Sequence, residues 1–340
     1  MDRPVVLCIQ GAAQAVVLGL VNGAGQVSAS VQRLTGNSVS IVTYRQTLAA
    51  PVVCAGVGLH SGERVRLVLQ PAPAGHGIVF KRSDLTDRDP IVEAKAHHVT
   101  GVRLGTTISN SDGASVATVE HLLAALAGLG VDDVLIDIDG PEVPVMDGSS
   151  AVFVELIRHV GLRSHGIARR AIQVLKPIVV GTEGREARFM PSLSSVIEVD
   201  IDFEHQAVGR QSYAFEVTDR IFSEQIAAAR TFGFKKDFDA LLAAGLARGG
   251  SMDNAIVLDE TGVANPDGLR FDDEFVRHKA LDALGDIYLA GAPILGRYIA
   301  SRPGHAINNE AVRALLDDPT AWTMVSLGEG EAEARLQVSR

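Results

Sequence analysis

The run Arg277-His278-Lys279-Ala280-Leu281-Asp282-Ala283-Leu284-Gly285-Asp286 carries one imidazole and two carboxylates at i, i+4 and i+8. If it is helical, His278, Asp282 and Asp286 share one stripe while Leu281 and Leu284 point elsewhere. A neutral imidazole and a carboxylate one turn apart can both ligate a borderline ion such as zinc, and a catalytic zinc then needs one further protein ligand plus water. On an exposed helix the same residues would be only a His/Asp pair worth about 0.2–0.5 kcal/mol. Spacing alone does not decide between the two.

Glu120-His121 is the second feature that could do chemistry. Neighbours on a helix point about 100° apart, so one can ligate a metal while the other takes a proton from the metal's water. Glu is a common general base in zinc hydrolysis, although a surface Glu beside a satisfied His fits the same residues. The HExxH pattern is absent, so this is not a standard zincin helix. His305, between a Pro-Gly turn and a helix start, could act as a general acid, with Asp286 orienting its ring and favouring the protonated form. It could equally be a residue beside a helix cap. Thr231 offers a hydroxyl to a developing oxyanion or merely caps a strand. Lys279 could hold a phosphate or be solvated. His60, in the loop Gly56-Val57-Gly58-Leu59-His60-Ser61-Gly62, could line a site or simply face water.

These residues need elements to position them. Val65, Leu67 and Leu69 alternate with Arg64, Arg66 and Gln70, which predicts a half-buried strand, and Pro71-Ala72-Pro73-Ala74-Gly75 turns the chain into a second at 78–80. Thr118 near the start and Gly128 or Gly130 at the stop bound a helix with Leu122, Leu126 and Leu129 as its apolar stripe. A strand over 134–139 and a helix over 151–160 follow, and 161–168 is the linker candidate. Beyond it, a strand over 172–180 precedes Ile197, Val199, Ile201 and Phe203, which alternate with Glu198, Asp200 and Asp202. Helices are expected over 223–229, 237–246, 273–290 and 309–316, with strands at 255–258 and 294–300. Strands followed by helices in each half argue for α+β layers rather than a doubly wound sheet. Without a GxGxxG or P-loop pattern, dinucleotide and nucleoside triphosphate readings lose support.

At 340 residues, with 46% apolar and 21% charged, the chain is an ordinary globular one with room for two domains. Its net charge of −10 and lack of a basic run argue against nucleic acid, yet one Lys or Arg in a pocket can still hold a diphosphate. Cys8 and Cys54 are the only cysteines, which points to a reducing compartment and leaves metal binding to His, Asp or Glu. No apolar run is long enough to cross a bilayer, and the apolar N-terminal stretch lacks a basic flank, so a cytoplasmic location is expected. Residues 1–43 show no clean period and are expected to be an extension, with a natural start near Val42. The tail over 328–340 is expected to fray.

Several longer motifs then recur in a particular order. They are Gly56-Val57-Gly58-Leu59-His60-Ser61-Gly62, Thr118-Val119-Glu120-His121-Leu122, Pro141-Glu142-Val143-Pro144-Val145-Met146-Asp147-Gly148-Ser149 and Ala229-Arg230-Thr231-Phe232-Gly233-Phe234. After these come Asp267-Gly268-Leu269-Arg270-Phe271, Phe275-Val276-Arg277-His278-Lys279 through Asp282, and the segment around Gly304-His305-Ala306. In this order they resemble the UDP-3-O-acyl-N-acetylglucosamine deacetylase family, the zinc amidase of lipid A synthesis, from about residue 44 to about 316.

The resemblance implies that His121, His278 and Asp282 ligate one catalytic Zn2+, with another divalent ion such as Fe2+ as an alternative. It implies Glu120 as general base, His305 as general acid paired with Asp286, Thr231 as oxyanion donor and Lys279 as a phosphate contact. Phe232, Arg302 and Phe203 are carried over as further substrate-facing residues. The implied fold is a pair of similar α+β domains, over 44–162 and 170–318, each a layer of mainly antiparallel sheet with helices. The helices would be sandwiched between the two sheets, with one insert per domain. The second insert, over 231–259, would form an apolar passage for an acyl chain with Phe232, Leu241, Leu242 and Leu246. The implied substrate is a UDP-linked 3-O-acylated N-acetylglucosamine, and a monomer is expected. Two positions depart from the family pattern: Gln206 follows His205 where Pro is common, and Gly105 stands where Cys is frequent. The rival readings are a zinc amidohydrolase for a different acylated sugar and a zinc-stabilised lipid or sugar-nucleotide binding protein without catalysis.

Overall fold

The alternation at Val65, Leu67 and Leu69 builds the strand Arg64–Pro71, on which these three side chains are buried in the hydrophobic core. In the computed structural model the described residues are 43–327 together with the strands Val5–Leu7, Val17–Val21 and Val27–Val31, which pair antiparallel in that order. Those strands fall where no period was legible. The expectations of a later start and of a frayed tail over 328–340 lie outside the described residues.

Two larger sheets carry the molecule. The first has five strands in the order Val52–Val57, Arg64–Pro71, Val134–Ile138, Ile78–Arg82 and Ile91–Glu93. Ile136 sits opposite Leu69 in an antiparallel pair and opposite Phe80 in a parallel one, so its fully buried side chain is flanked by apolar neighbours on both sides. The second sheet has seven strands around Ile294–Ser301, which pairs antiparallel with Arg185–Met190 and parallel with Ser195–Asp202 and Arg170–Val174. The sheets are therefore mixed and mainly antiparallel, as expected of this α+β fold.

The helices, in chain order, are α1 Glu120–Leu129, α2 Ala151–Val160, α3 Asp219–Ile221, α4 Phe238–Ala243, α5 Glu274–Ile287 and α6 His305–Asp317. All residues of α1 and nearly all of α5 are buried, as expected of helices covered on every side. They pack on each other, while α5 also meets Ser195–Asp202 and α6. The approach is close because Gly285 lacks a side chain: a Cβ there would stand 2.1 Å from the Glu120 carbonyl oxygen. Gly130, with φ 73°, ends α1 in the left-handed conformation that glycine adopts without strain.

Several expectations need correction. The linker candidate over 161–168 contains the strand Leu162–Ala168, which pairs antiparallel with Tyr44–Leu48. The strand expected over 172–180 is two, Arg170–Val174 and Ile178–Thr182, separated by a stretch containing Pro177, which has no N–H to give a ladder. Arg185–Met190, Arg210–Glu216 and Trp322–Ser326 were not foreseen. Helix α6 begins at His305 rather than 309. In the segment expected as the second insert, α4 buries none of its residues, Leu242 is exposed and Leu241 and Leu246 are half-buried.

Candidate active site

Helix α1 contributes His121 and helix α5 contributes His278 and Asp282, and one ligand atom from each lies within 4.8 Å of the others. Asp282 Oδ1 stands 3.3 Å from His278 Nε2 and 3.6 Å from His121 Nε2. That oxygen is buried and has no hydrogen-bond partner. An orphaned carboxylate oxygen in a dry interior is costly, and a cation held with two imidazoles relieves it. The donor set of two His and one Asp suits zinc with one position left open.

The chemistry of each ligand is prepared by its neighbours. His278 Nδ1–H donates to the Ala229 carbonyl at 3.0 Å, which leaves Nε2 as the lone-pair atom facing the other two. Burial pushes the His278 ring down to about 3, with His121 and Lys279 adding to the effect, so it is neutral and ready to ligate. Burial by itself would raise the Asp282 carboxyl, but the facing His278 and Lys279 outweigh it and hold the group well below the usual carboxylate range. With His278 neutral, the working partner is the Lys279 ammonium, 2.9 Å from Asp282 Oδ2.

Glu120 opens α1, where the helix dipole favours a carboxylate. Its Oε2 accepts from the Thr106 N–H at 2.9 Å, and its Oε1 lies 3.8 Å from His305 Nε2. Burial raises the Glu120 carboxyl above its ordinary value, and His305 and His121 only partly counter it. His305, the first residue of α6, donates from Nδ1 to Asp286 Oδ2 at 2.9 Å. Burial opposes its charge, yet Asp286 and Glu120 more than compensate and push it up to about 10.

Asp286 is itself held on both oxygens. Asn308 Nδ2 donates to Oδ2 at 2.8 Å and the Thr106 hydroxyl to Oδ1 at 2.6 Å, while the Tyr298 hydroxyl donates to Asn308 Oδ1 at 2.7 Å. Thr231 is placed by a buried ion pair: Arg230 Nε lies 2.9 Å from Glu274 Oε1 at the start of α5, and the Arg230 N–H reaches the same oxygen at 3.0 Å.

Glu120, His121, His278, Asp282, His305, Lys279, Thr231 and Phe232 all line one cleft of about 260 Å³. Asp286 sits behind it, wholly buried. Phe203 and Arg302 do not line this cleft. They line an adjoining cavity of about 470 Å³ together with Lys279, Arg185 and Pro303, and Arg302 is paired there with Asp202 at 2.6 Å. Lys279 and Arg185 border both spaces. Of the expected acyl-facing residues, Phe232 is on the cleft wall, whereas Leu241, Leu242 and Leu246 are not among its lining residues. Leu59, Val102 and Leu104 supply the apolar wall instead.

Sequence reasoning missed Arg185, Thr106, Asn308, Tyr298 and the Arg230–Glu274 pair. Asn308 and Arg230 lay inside motifs and could have been weighed. Thr106 acts partly through its backbone, and Arg185 lies on a strand that was not foreseen, so neither gave a signal.

Residues 45–317 match the family described as UDP-3-O-acyl N-acetylglycosamine deacetylase. Curated relatives carrying the name UDP-3-O-acyl-N-acetylglucosamine deacetylase include one from Myxococcus xanthus, 47% identical over 292 residues, covering 86% of this chain and 92% of the relative. One from Phenylobacterium zucineum is 43% identical over 291 residues, covering 86% of this chain and 99% of its own. One from Shewanella piezotolerans is 45% identical over 300 residues, covering 87% and 97%.

Proposed function

The chain belongs to the UDP-3-O-acyl-N-acetylglucosamine deacetylase family, and from that premise we propose how its cleft carries out the reaction. The protein is a zinc-dependent amidohydrolase. It removes the N-acetyl group from a UDP-linked 3-O-acylated N-acetylglucosamine, giving the free amine and acetate in lipid A biosynthesis. The observation that carries the assignment of roles is the convergence of three ligand atoms from α1 and α5 beside a buried Glu120.

When bound by His121, His278 and Asp282, the ion supplies Lewis acidity and lowers the pKa of water at the open position. Glu120 takes the water's proton. Its Oε2 is occupied by the Thr106 N–H, so Oε1 is the accepting atom, and burial makes it a stronger base than an exposed carboxylate. The Thr231 hydroxyl donates to the oxyanion that develops on the acetamide carbonyl. His305, protonated and held at Nδ1 by Asp286, delivers its Nε2 proton to the leaving amine. It stands on the same side of the cleft as Glu120 Oε1, which lets base and acid serve the same tetrahedral centre.

The adjoining cavity takes the nucleotide. Lys279 and Arg185, at its junction with the cleft, suit the diphosphate, while Phe203 and Arg302 lie further along the same cavity. Leu59, Val102, Leu104 and Phe232 suit the acyl chain. Among the described residues no helix is long and apolar enough to cross a membrane; two cysteines in 340 residues favour a reducing compartment, and on that ground we propose the cytoplasm.

The decisive experiment is Glu120→Ala with acetate release and metal content measured together. Turnover should fall by about 10²- to 10⁴-fold, the usual contribution of a general base, while metal stays near one ion per chain. Near-full deacetylation by that variant would remove Glu120 from its role.

A further inference from the structure

His60 lies in a glycine loop that the reaction, as argued so far, does not use. Its backbone is clamped by a buried carboxylate: Glu142 accepts the His60 N–H at 2.9 Å, the Ser61 N–H at 2.8 Å and the Thr118 hydroxyl at 2.8 Å. Thr118 immediately precedes the turn into α1, so the clamp ties the His60 loop to the start of the helix that carries Glu120. Gly58 makes this possible, since a Cβ there would fall 2.3 Å from Glu142 Oε2.

The ring then spans two separate segments. Its Nε2–H donates to the Leu104 carbonyl at 3.0 Å, and its Nδ1 accepts from the Ala247 N–H at 3.4 Å. Both partners are unusual. Leu104 has φ 59° and Ala247 has φ 54°, left-handed conformations that residues with a Cβ adopt only under strain. A strained peptide persists when its surroundings over-determine it, and here one imidazole touches both.

The Leu104 end leads directly to the general base. Gly105 follows, and its missing side chain leaves room for the carboxylate: a Cβ there would stand 3.2 Å from Glu120 Oε1 and 3.8 Å from His60 Nε2. The next residue, Thr106, gives its N–H to Glu120 Oε2 and its hydroxyl to Asp286. We propose that His60 is a positioning residue for Glu120. It fixes the Leu104 peptide, and through Gly105 it fixes the Thr106 N–H that holds the carboxylate with Oε1 free. The inference rests on Glu120 being the general base.

The test is a cycle of variants in the full-length, metal-loaded enzyme, with kcat, KM and metal content measured for each. His60→Leu, which can make neither ring bond, should lower kcat about 5- to 30-fold, the range expected when a hydrogen bond that holds a catalytic group is lost. KM should rise by a smaller factor than kcat falls, since Leu104 also borders the cleft, and metal content should stay at one. His60→Gln, whose amide can still donate to the Leu104 carbonyl, should recover most of kcat. In a Glu120→Ala background the same His60→Leu change should have almost no further effect, because there is no carboxylate left to position. Amide exchange at Thr106 should quicken in His60→Leu and stay slow in His60→Gln, a readout that does not depend on turnover or on that variant's residual rate.

An equal fold loss in both backgrounds would overturn the proposal, as would a change confined to KM or an unaltered exchange rate at Thr106. If Glu120→Ala alone retained activity, the general-base reading would fail instead, and the two failures would be distinct.

Discussion

Replacing Asp286 by Asn tests the acid half of the site at one atom. The amide is nearly isosteric. Its oxygen can still accept from His305 Nδ1 and Asn308 Nδ2, and its NH2 can face the Thr106 hydroxyl, which is able to accept as well as donate. What disappears is the negative charge. His305 is raised from 6.5 to about 10 although burial alone would lower it, and Asp286 is the largest of the groups that raise it. Two unit charges about 4 Å apart at an effective dielectric near 20 interact by roughly 4 kcal/mol, equivalent to about three pK units. A bound divalent cation lowers the His305 value in both proteins, and the difference between them keeps its sign.

The sign follows from which form works. In the proposed mechanism His305 donates a proton, so activity is present below its pKa and lost as pH rises through it. Lowering the pKa therefore moves the alkaline limb of kcat/KM to lower pH, by about two to three units in Asp286→Asn. The variant should be close to wild type at the acid end and fall progressively behind as pH rises. Acetate release across the pH range, with metal content checked at each end, measures the shift. Coincident alkaline limbs in two proteins of equal metal content would refute the argument that Asp286 keeps His305 charged.

Two further outcomes follow from the packing. His278→Ala should lose metal together with activity, because two remaining protein ligands hold zinc poorly and the Asp282 oxygen is left facing a single imidazole; metal analysis after gel filtration reads this directly. Gly285→Ala should lower the thermal midpoint by several degrees, since its Cβ would press on the Glu120 backbone from 2.1 Å and overpacking costs about 1–3 kcal/mol, roughly 2–4 °C per kcal/mol in a chain this long. It should lower kcat as well, because the displaced residue is the proposed base.

That His278, Asp282 and Asp286 share one face of α5 was legible because i, i+4 spacing survives whatever the tertiary fold does to a helix, although spacing alone did not tell a metal site from a surface pair. The strand at Ile197, Val199 and Ile201 was legible for the same reason, with burial alternating as the period requires. Neither pattern showed that His121 would meet that stripe, since the residues that allow the meeting are glycines and backbone groups. Gly285 reads in sequence as an unfavourable helix residue and in the fold as the contact that lets α1 touch α5. Val174 and Leu175 on one side of Lys176-Pro177 and Ile178, Val179 and Val180 on the other read as one apolar strand, whereas Arg170–Val174 and Ile178–Thr182 are two. Residues 161–168 read as a linker because Arg163, Ser164 and His165 give them loop composition, whereas the place of Leu162–Ala168 is fixed by pairing with Tyr44–Leu48.

Three carboxylates lie within reach of the cleft, and their division of labour comes from what surrounds each one rather than from residue type. Asp282 keeps one oxygen on Lys279 and leaves the other bare toward two imidazoles, so it is held ionised and suited to a cation. Asp286 is buried behind the cleft and held on both oxygens by Thr106, Asn308 and His305, which suits it as a fixed charge orienting the proposed acid. Glu120 has a single neutral donor, the Thr106 N–H, on one oxygen, and burial raises its basicity while the other oxygen stays open. Thr106 serves two of the three at once, with its amide on Glu120, the proposed base, and its hydroxyl on Asp286, the carboxylate behind the proposed acid. A shift of that one residue would therefore disturb proton removal and proton delivery together, which is a reason for the chain to brace the segment that carries it.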